Sequence, residues 1–173
     1  MALFWGFTKT REGYFLYKVL LVDDEALIRE AISENTRWKE LGYELMGTCK
    51  NGREAIERLD QEEADLVLTD ICMPYVDGME LTRYLYEKHK GVKVIIISGY
   101  DDFEYAKTAV KYQVMDYILK PITAKELAQT LTRVKEKLDE ERFQRSDMKR
   151  IRGAYMSNLP ILRGRFLNSL LMG

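Results

Sequence analysis

Four short apolar runs each end in side chains that can do chemistry. Lys18–Asp23 (Lys-Val-Leu-Leu-Val-Asp) leads into Asp24 and Glu25. Asp65–Thr69 leads into Asp70, Lys93–Ser98 ends on a hydroxyl before Gly99, and Met115–Leu119 leads into Lys120 and Pro121. If these runs are parallel strands of one sheet, the groups share its carboxyl edge, where ligands bind in such sheets. Crowded carboxylates repel and raise one another's pKa. A hard divalent cation relieves that repulsion, and oxygen ligands with retained water suit Mg²⁺. Lys120 adds a compensating charge, and Ser98 can donate a hydrogen bond to an anion. Metal, ammonium and hydroxyl together would hold the oxygens of a phosphoryl group in transfer. Asp70, at the centre, would be the nucleophile, since an aspartate can form an aspartyl phosphate.

The elements that must position these groups alternate along the chain. Continuous Val/Ile/Leu runs are the pattern of strands buried on both faces, and Tyr43–Cys49 adds a fifth, less regular one. Helical patterns lie between them: Leu27, Ile28, Ala31 and Ile32; then Ala55, Ile56 and Leu59; then Leu81, Tyr84 and Leu85; then Phe103, Ala106, Ala109 and Val110. Thr123 is an N-cap candidate for the last helix, with Glu126 three residues on. The pattern predicts (βα)₅, an α/β doubly wound parallel sheet with helices on both faces. Leu127, Leu131, Val134 and Leu138 follow 4-3-4 spacing, a coiled-coil-like seam. It weakens at Glu141 and Arg145, and no breaker precedes Gly153, with Pro160 beyond, so a long helix is expected. Leu159, Ile161, Leu162, Phe166, Leu167, Leu170 and Leu171 suggest a truncated parent chain, a dimer contact or a partner surface.

Composition narrows the function classes. The 173 residues are 46% hydrophobic and 32% charged, which fits a folded domain with about fifty residues to spare. No apolar stretch reaches the roughly 18 residues of a membrane span. Residues 3–7 are too short for a signal-peptide core and have no basic residue before them. Cys49 and Cys72 form neither a disulfide framework nor a metal pattern. A single histidine, His89, argues against His-based metal sites and Ser-His or Cys-His catalysis. The net charge of −1 hides an asymmetry: residues 18–123 carry 14 Lys and Arg against 21 Asp and Glu, residues 124–173 carry 11 against 6. A solvated helix accounts for the basic tail more simply than nucleic-acid contact.

The chain resembles a response-regulator receiver domain of a bacterial two-component system. The matching residues are Val22-Asp23-Asp24-Glu25, Leu68-Thr69-Asp70-Ile71-Cys72-Met73-Pro74, Asp77-Gly78, Ile96-Ile97-Ser98-Gly99-Tyr100 and Asp116-Tyr117-Ile118-Leu119-Lys120-Pro121. Asn35, Trp38, Leu41-Gly42-Tyr43-Glu44 and the segment Ser98–Ala106 further resemble receivers of AraC-type DNA-binding regulators, as does Leu162–Leu167 their linker. The resemblance implies a flavodoxin-like sheet of strand order 2-1-3-4-5 with an extended C-terminal helix. It divides the chain into an N-terminal extension (1–17), a receiver (18–138), and a helical linker opening a missing C-terminal region (139–173).

The same resemblance implies roles. Asp70 is the phosphoacceptor. Mg²⁺ is held by Asp24 directly, Asp23 through water, Asp70, and the backbone carbonyl of Cys72. Lys120 pairs with the phosphoryl group, across a cis bond to Pro121. Ser98 and Tyr117 form the switch. Tyr105, Lys111, Tyr117 and Arg133 mark an output face made by the fourth helix, fifth strand and fifth helix. Cys72 and Tyr100 flank the route of hydrolytic water and offer nothing to orient it, so self-dephosphorylation should be slow. The expected partners are a sensor histidine kinase and, on phosphorylation, a second copy of the chain. DNA would be reached only through a C-terminal domain absent here. The expected location is cytoplasmic, and the only catalysis is of the chain's own phosphorylation and dephosphorylation. The alternative is a degenerate receiver acting as a phosphorylation-independent interaction domain. A haloacid-dehalogenase-like phosphatase is disfavoured, because no Asp-x-Asp pair follows the first strand.

Overall fold

Branched aliphatic residues in unbroken runs build the sheet. In the computed structural model, residues 9–10, 13–99 and 103–171 are described, with side chains within 15–99, at 105 and within 107–152. The extension contributes two short strands, β1 (Lys9–Thr10) and β2 (Gly13–Tyr14), paired antiparallel. Then follow β3 (Tyr17–Val22), α1 (Ala26–Asn35), β4 (Tyr43–Cys49), α2 (Gly52–Leu59), β5 (Leu66–Asp70) and α3 (Gly78–Lys88). The series ends with β6 (Lys93–Ser98), α4 (Phe103–Lys111), β7 (Asp116–Leu119) and α5 (Ala124–Leu171). The larger sheet has the order β4-β3-β5-β6-β7, all parallel, which is the expected 2-1-3-4-5.

Both faces of this sheet are covered. Leu20, Val22, Val67, Val94 and Ile96 pack with Ala55, Leu59, Leu81, Leu85 and Ala109 from α2, α3 and α4. The alternate residues Val19, Leu21, Leu66, Leu68, Ile95 and Ile97 point the other way by the period of two and are equally buried. Ile32 of α1 and Leu127, Leu131 and Val134 of α5 are buried as well. Tyr43 Oη donates to the carbonyl of Leu131 at 2.8 Å, tying β4 to α5.

Local chemistry sets the element ends. Asn51 accepts the Glu54 N–H at 2.9 Å to cap α2, and Asp77 with Glu80 forms a capping box on α3. Thr123 Oγ1 accepts the Glu126 N–H at 3.1 Å, as its sequence position predicts. The irregularity of Tyr43–Cys49 is a bulge: Leu45 pairs Val19 and Gly47 pairs Leu20, leaving Met46 out of register. His89 ends α3, its Nε2 3.1 Å from Asp60 Oδ1. Tyr84 Oη also donates to Asp60, and these two bonds, Tyr84's first, hold the Asp60 carboxyl below its ordinary range.

Three expectations need correction. Leu27 and Val110 are not on buried helix faces; each is 80% exposed. Adjacent helical residues lie about 100° apart, and in each helix the neighbour is the more buried: Ile28 is half-buried and Ala109 is fully so. The first sheet strand starts at Tyr17, not Lys18, because Tyr17 pairs with Tyr43 and is buried against its ring.

α5 runs 48 residues, through Gly153 and Pro160, although Pro160 has no N–H to give the helix ladder. Residues 1–134 and 135–173 form two compact units, and α5 supplies helix to both. The second unit carries the i,i+4 pair Arg145–Glu141 at 3.4 Å and exposes Phe143, Met148 and Ile151. The apolar residues from Leu159 onward, as side chains, lie outside the described residues, as do residues 3–7. Among the described residues, no helix is long and apolar enough to cross a membrane.

Candidate functional site

Parallel pairing brings every strand's carboxyl end to one edge, and the predicted groups meet there. Asp23 follows β3, Asp70 is the last residue of β5, Ser98 the last of β6, and Lys120 follows β7. Backbone bonds fix the outermost of them: Asp23 N–H donates to Cys49 O at 3.1 Å, and Lys120 N–H to Ser98 O at 2.7 Å. The Lys120–Pro121 bond is cis.

Carboxylate oxygens of Asp23, Asp24 and Asp70 lie within 4.8 Å of one another, with Asp23 and Asp70 buried and Asp24 exposed. Lys120 Nζ reaches into this group, 3.0 Å from Asp23 Oδ2, 3.1 Å from Asp70 Oδ2 and 3.1 Å from Glu25 Oε1. The opposite oxygens are held by main chain: Ile71 N–H donates to Asp70 Oδ1 at 2.7 Å, and Glu25 N–H to Asp23 Oδ1 at 2.8 Å. Asp23 Oδ2 makes its ion-pair contact without hydrogen-bond alignment and is otherwise an unpartnered buried oxygen.

Burial raises the Asp23 carboxyl above its ordinary range, and the Asp70 charge adds to this; Lys120 and the Glu25 N–H oppose it without reversing it. For Lys120, burial alone would lower the pKa, but its close contacts with the carboxylates of Asp23, Glu25 and Asp70 together raise it. The ammonium is thus charged at neutral pH.

Three carboxylates meet one ammonium, with Asp24 clustered beside two of them, and the buried ones cannot turn to solvent. Such a group is suited to a hard cation with oxygen ligands, and exposed Asp24 leaves one side open to water. Ser98 is fully buried at the neighbouring strand end. Tyr117 is half-buried against the core, as is Tyr105, and lies two residues before the Leu119 that pairs with Ser98. Cys72 is exposed, two residues after Asp70. Tyr100 lies outside the described residues. Arg133, expected on the output face, pairs with Asp116 at 2.9 Å.

Residues 19–132 match the response regulator receiver domain family, more than half of the chain. The chain belongs to that family. As a receiver of a two-component response regulator, it has transcriptional regulators among its relatives. It is 38% identical over 119 residues to the uncharacterized transcriptional regulatory protein YesN of Bacillus subtilis, covering 69% of this chain and 32% of that protein. It is 37% identical over 129 residues to the transcriptional regulatory protein HptR of Staphylococcus aureus, covering 75% and 50%. The receiver therefore spans about a third to a half of the length of these curated relatives. Among solved structures, the receiver domain of AraT, a response regulator of Geobacillus stearothermophilus, is 41% identical with a TM-score of 0.70, covering 74% of this chain and 99% of that one.

Glu25 and Gly78 also shape this receiver's site. A Cβ on Gly78 would collide with the Asp70 carbonyl oxygen and crowd Ile71 Cα, both backbone. Gly78 N–H also donates to Ile71 O at 2.9 Å, so the start of α3 is pressed on the loop after Asp70. The Asp-Gly pair at a predicted helix start was the available signal. In an open helix Gly→Ala stabilises by about 1 kcal/mol. Here Gly78→Ala is expected to destabilise by about 1–3 kcal/mol through overpacking. Thermal melts check it, and a stabilised variant would contradict the close approach.

Proposed function

We propose that this receiver takes one phosphoryl group on Asp70 and holds Mg²⁺ through Asp23, Asp24 and Asp70, with the Cys72 carbonyl as a further ligand. The observation that carries the reading is the Asp23–Asp24–Asp70 cluster with Lys120 Nζ 3.1 Å from the Asp70 carboxylate. Receiver domains generally bind Mg²⁺ at an acidic pocket, and the unaligned buried Asp23 oxygen fits such a cation.

Bound there, the cation supplies charge neutralisation for a transferring phosphoryl group. The chain's own residues do the rest. Ile71 N–H and Lys120 orient the Asp70 carboxylate. One Asp70 oxygen attacks phosphorus, and the P–N bond of a phosphohistidine, or the P–O bond of acetyl phosphate, breaks. The leaving imidazole or acetate keeps the bonding pair, and Asp70 becomes a mixed carboxylic–phosphoric anhydride. Lys120 pairs with the phosphoryl oxygens, and Ser98 donates a hydrogen bond to one of them. Tyr117 turns into the space that Ser98 leaves, changing the face of α4, β7 and α5 that includes Tyr105, Lys111 and Arg133.

The donor is a sensor histidine kinase, and the output is phosphorylation-dependent dimerisation. In a full-length parent of AraC type, that would control transcription in the cytoplasm through a DNA-binding region outside this chain. The receiver is not an enzyme acting on other molecules, and its phosphorylated state decays slowly.

Titration calorimetry with beryllofluoride, a phosphoryl mimic, tests this reading. One equivalent should bind only with Mg²⁺, not at all to Asp70→Asn, and should increase the dimer fraction in sedimentation. Absence of binding would leave the chain a degenerate receiver working by constitutive contacts.

A further inference from the structure

The three carboxylates on Lys120 are not equivalent. Asp23 and Asp70 have side chains 1% and 8% exposed, whereas that of Glu25 is 58% exposed at the same 3.1 Å reach. Glu25 holds its place by its backbone, whose N–H donates to Asp23 Oδ1. It is also the N-cap residue of α1, yet its side chain makes no cap hydrogen bond. Its carboxylate therefore neither braces the loop nor caps the helix. It contacts the Lys120 ammonium and is far more exposed to solvent than either aspartate there.

We infer that Glu25 is a displaceable counter-ion that shields Lys120 from solvent and sets how readily small anionic phosphodonors enter. This inference rests on the proposed phosphoryl chemistry at Asp70. A donor arriving from solvent needs the ammonium that Glu25 occupies. The buried carboxylates of Asp23 and Asp70 cannot swing away, but an exposed glutamate can. Its departure removes one negative charge from the path of the incoming anion and frees one hydrogen-bond donor. A kinase docked on the receiver brings binding energy of its own to that displacement, whereas a free small donor does not. Glu25 is thus a specificity-determining residue that disfavours free donors.

The test compares the wild type, Glu25→Gln, and Glu34→Gln, which removes one charge from an exposed position on α1. The second-order rate constant for phosphorylation by acetyl phosphate with Mg²⁺ is measured at low and high salt, with beryllofluoride affinity as an independent readout. Glu25→Gln should react about 10-fold faster than both others at low salt, and the gap should shrink as salt screens the charge. The gain should be smaller with phosphoramidate, which carries less negative charge, and beryllofluoride should bind more tightly. Equal rates in all three proteins would overturn the inference, as would a slower Glu25→Gln with a raised Mg²⁺ requirement, which would make Glu25 part of the metal site. If the wild type takes up no phosphoryl group and binds no beryllofluoride, it is the underlying chemistry at Asp70 that fails.

Discussion

Lys120→Met is expected to lower phosphoryl uptake from acetyl phosphate at least ~100-fold, the scale of losing one preorganised charge-stabilising donor. It is also expected to destabilise the metal-free fold by about 3 kcal/mol, near the low end for breaking a buried ion pair, or roughly 6–12 °C in melting temperature. Both effects have one cause. Lys120 is the ammonium that touches Asp23, Glu25 and Asp70, and two of those carboxylates are buried. Methionine fills similar volume but leaves those charges facing one another. Because its folded pKa lies above the ordinary lysine value, the Lys120 contribution is fully present at neutral pH and is lost only as pH rises through that elevated value. Mg²⁺ should recover much of the lost stability in Lys120→Met without restoring the rate, since the cation offsets repulsion but cannot replace the donor. Melts with chelator and with Mg²⁺, alongside single-turnover rates, separate the two. An unchanged melting temperature in chelator would contradict the buried-charge account.

Asp23→Asn should act in opposite directions with and without metal. In chelator it is expected to stabilise the fold by about 1 kcal/mol at neutral pH, because an ionised carboxylate held against burial becomes a neutral amide. The amide oxygen can still accept the Glu25 N–H. The folded Asp23 carboxyl has a raised pKa, so the folded chain binds the extra proton in the window between the unfolded and folded values. Wild-type stability from this group therefore rises as pH falls through that window, and the advantage of asparagine disappears there. With Mg²⁺ the order reverses. A ligand at 100 times its dissociation constant stabilises the fold by about 2.7 kcal/mol, and the variant forfeits most of that. Protons compete with the cation for Asp23, so Mg²⁺ affinity should fall as pH drops through the same window. Melting temperatures across pH, with Mg²⁺ or chelator, check every sign; a variant less stable than wild type in chelator would contradict the charge argument.

The residues differed in how much of this was legible beforehand. Unbroken aliphatic runs announced buried parallel strands, and the acids, hydroxyl and lysine placed after them fell on one edge because parallel strands share an end. Helix faces are less legible where two apolar residues are adjacent, as at Ala109–Val110, since periodicity does not say which of the two faces inward. The start of the first sheet strand at Tyr17 depended on a ring contact with Tyr43, a partner 26 positions away in sequence. Continuation of α5 through Gly153 and Pro160 runs against local propensity and could not be read from it. Glu25 and Gly78 were visible as letters, but their parts are distances: a carboxylate over an ammonium, and a glycine against a carbonyl. No spacing rule carries that information.

Intact-mass measurement after incubation with acetyl phosphate and Mg²⁺ tests the central claim most directly. The account predicts a gain of one phosphoryl group per chain, absent without Mg²⁺ and absent in Asp70→Asn. A gain that persists in Asp70→Asn, or that forms equally well in chelator, would contradict it.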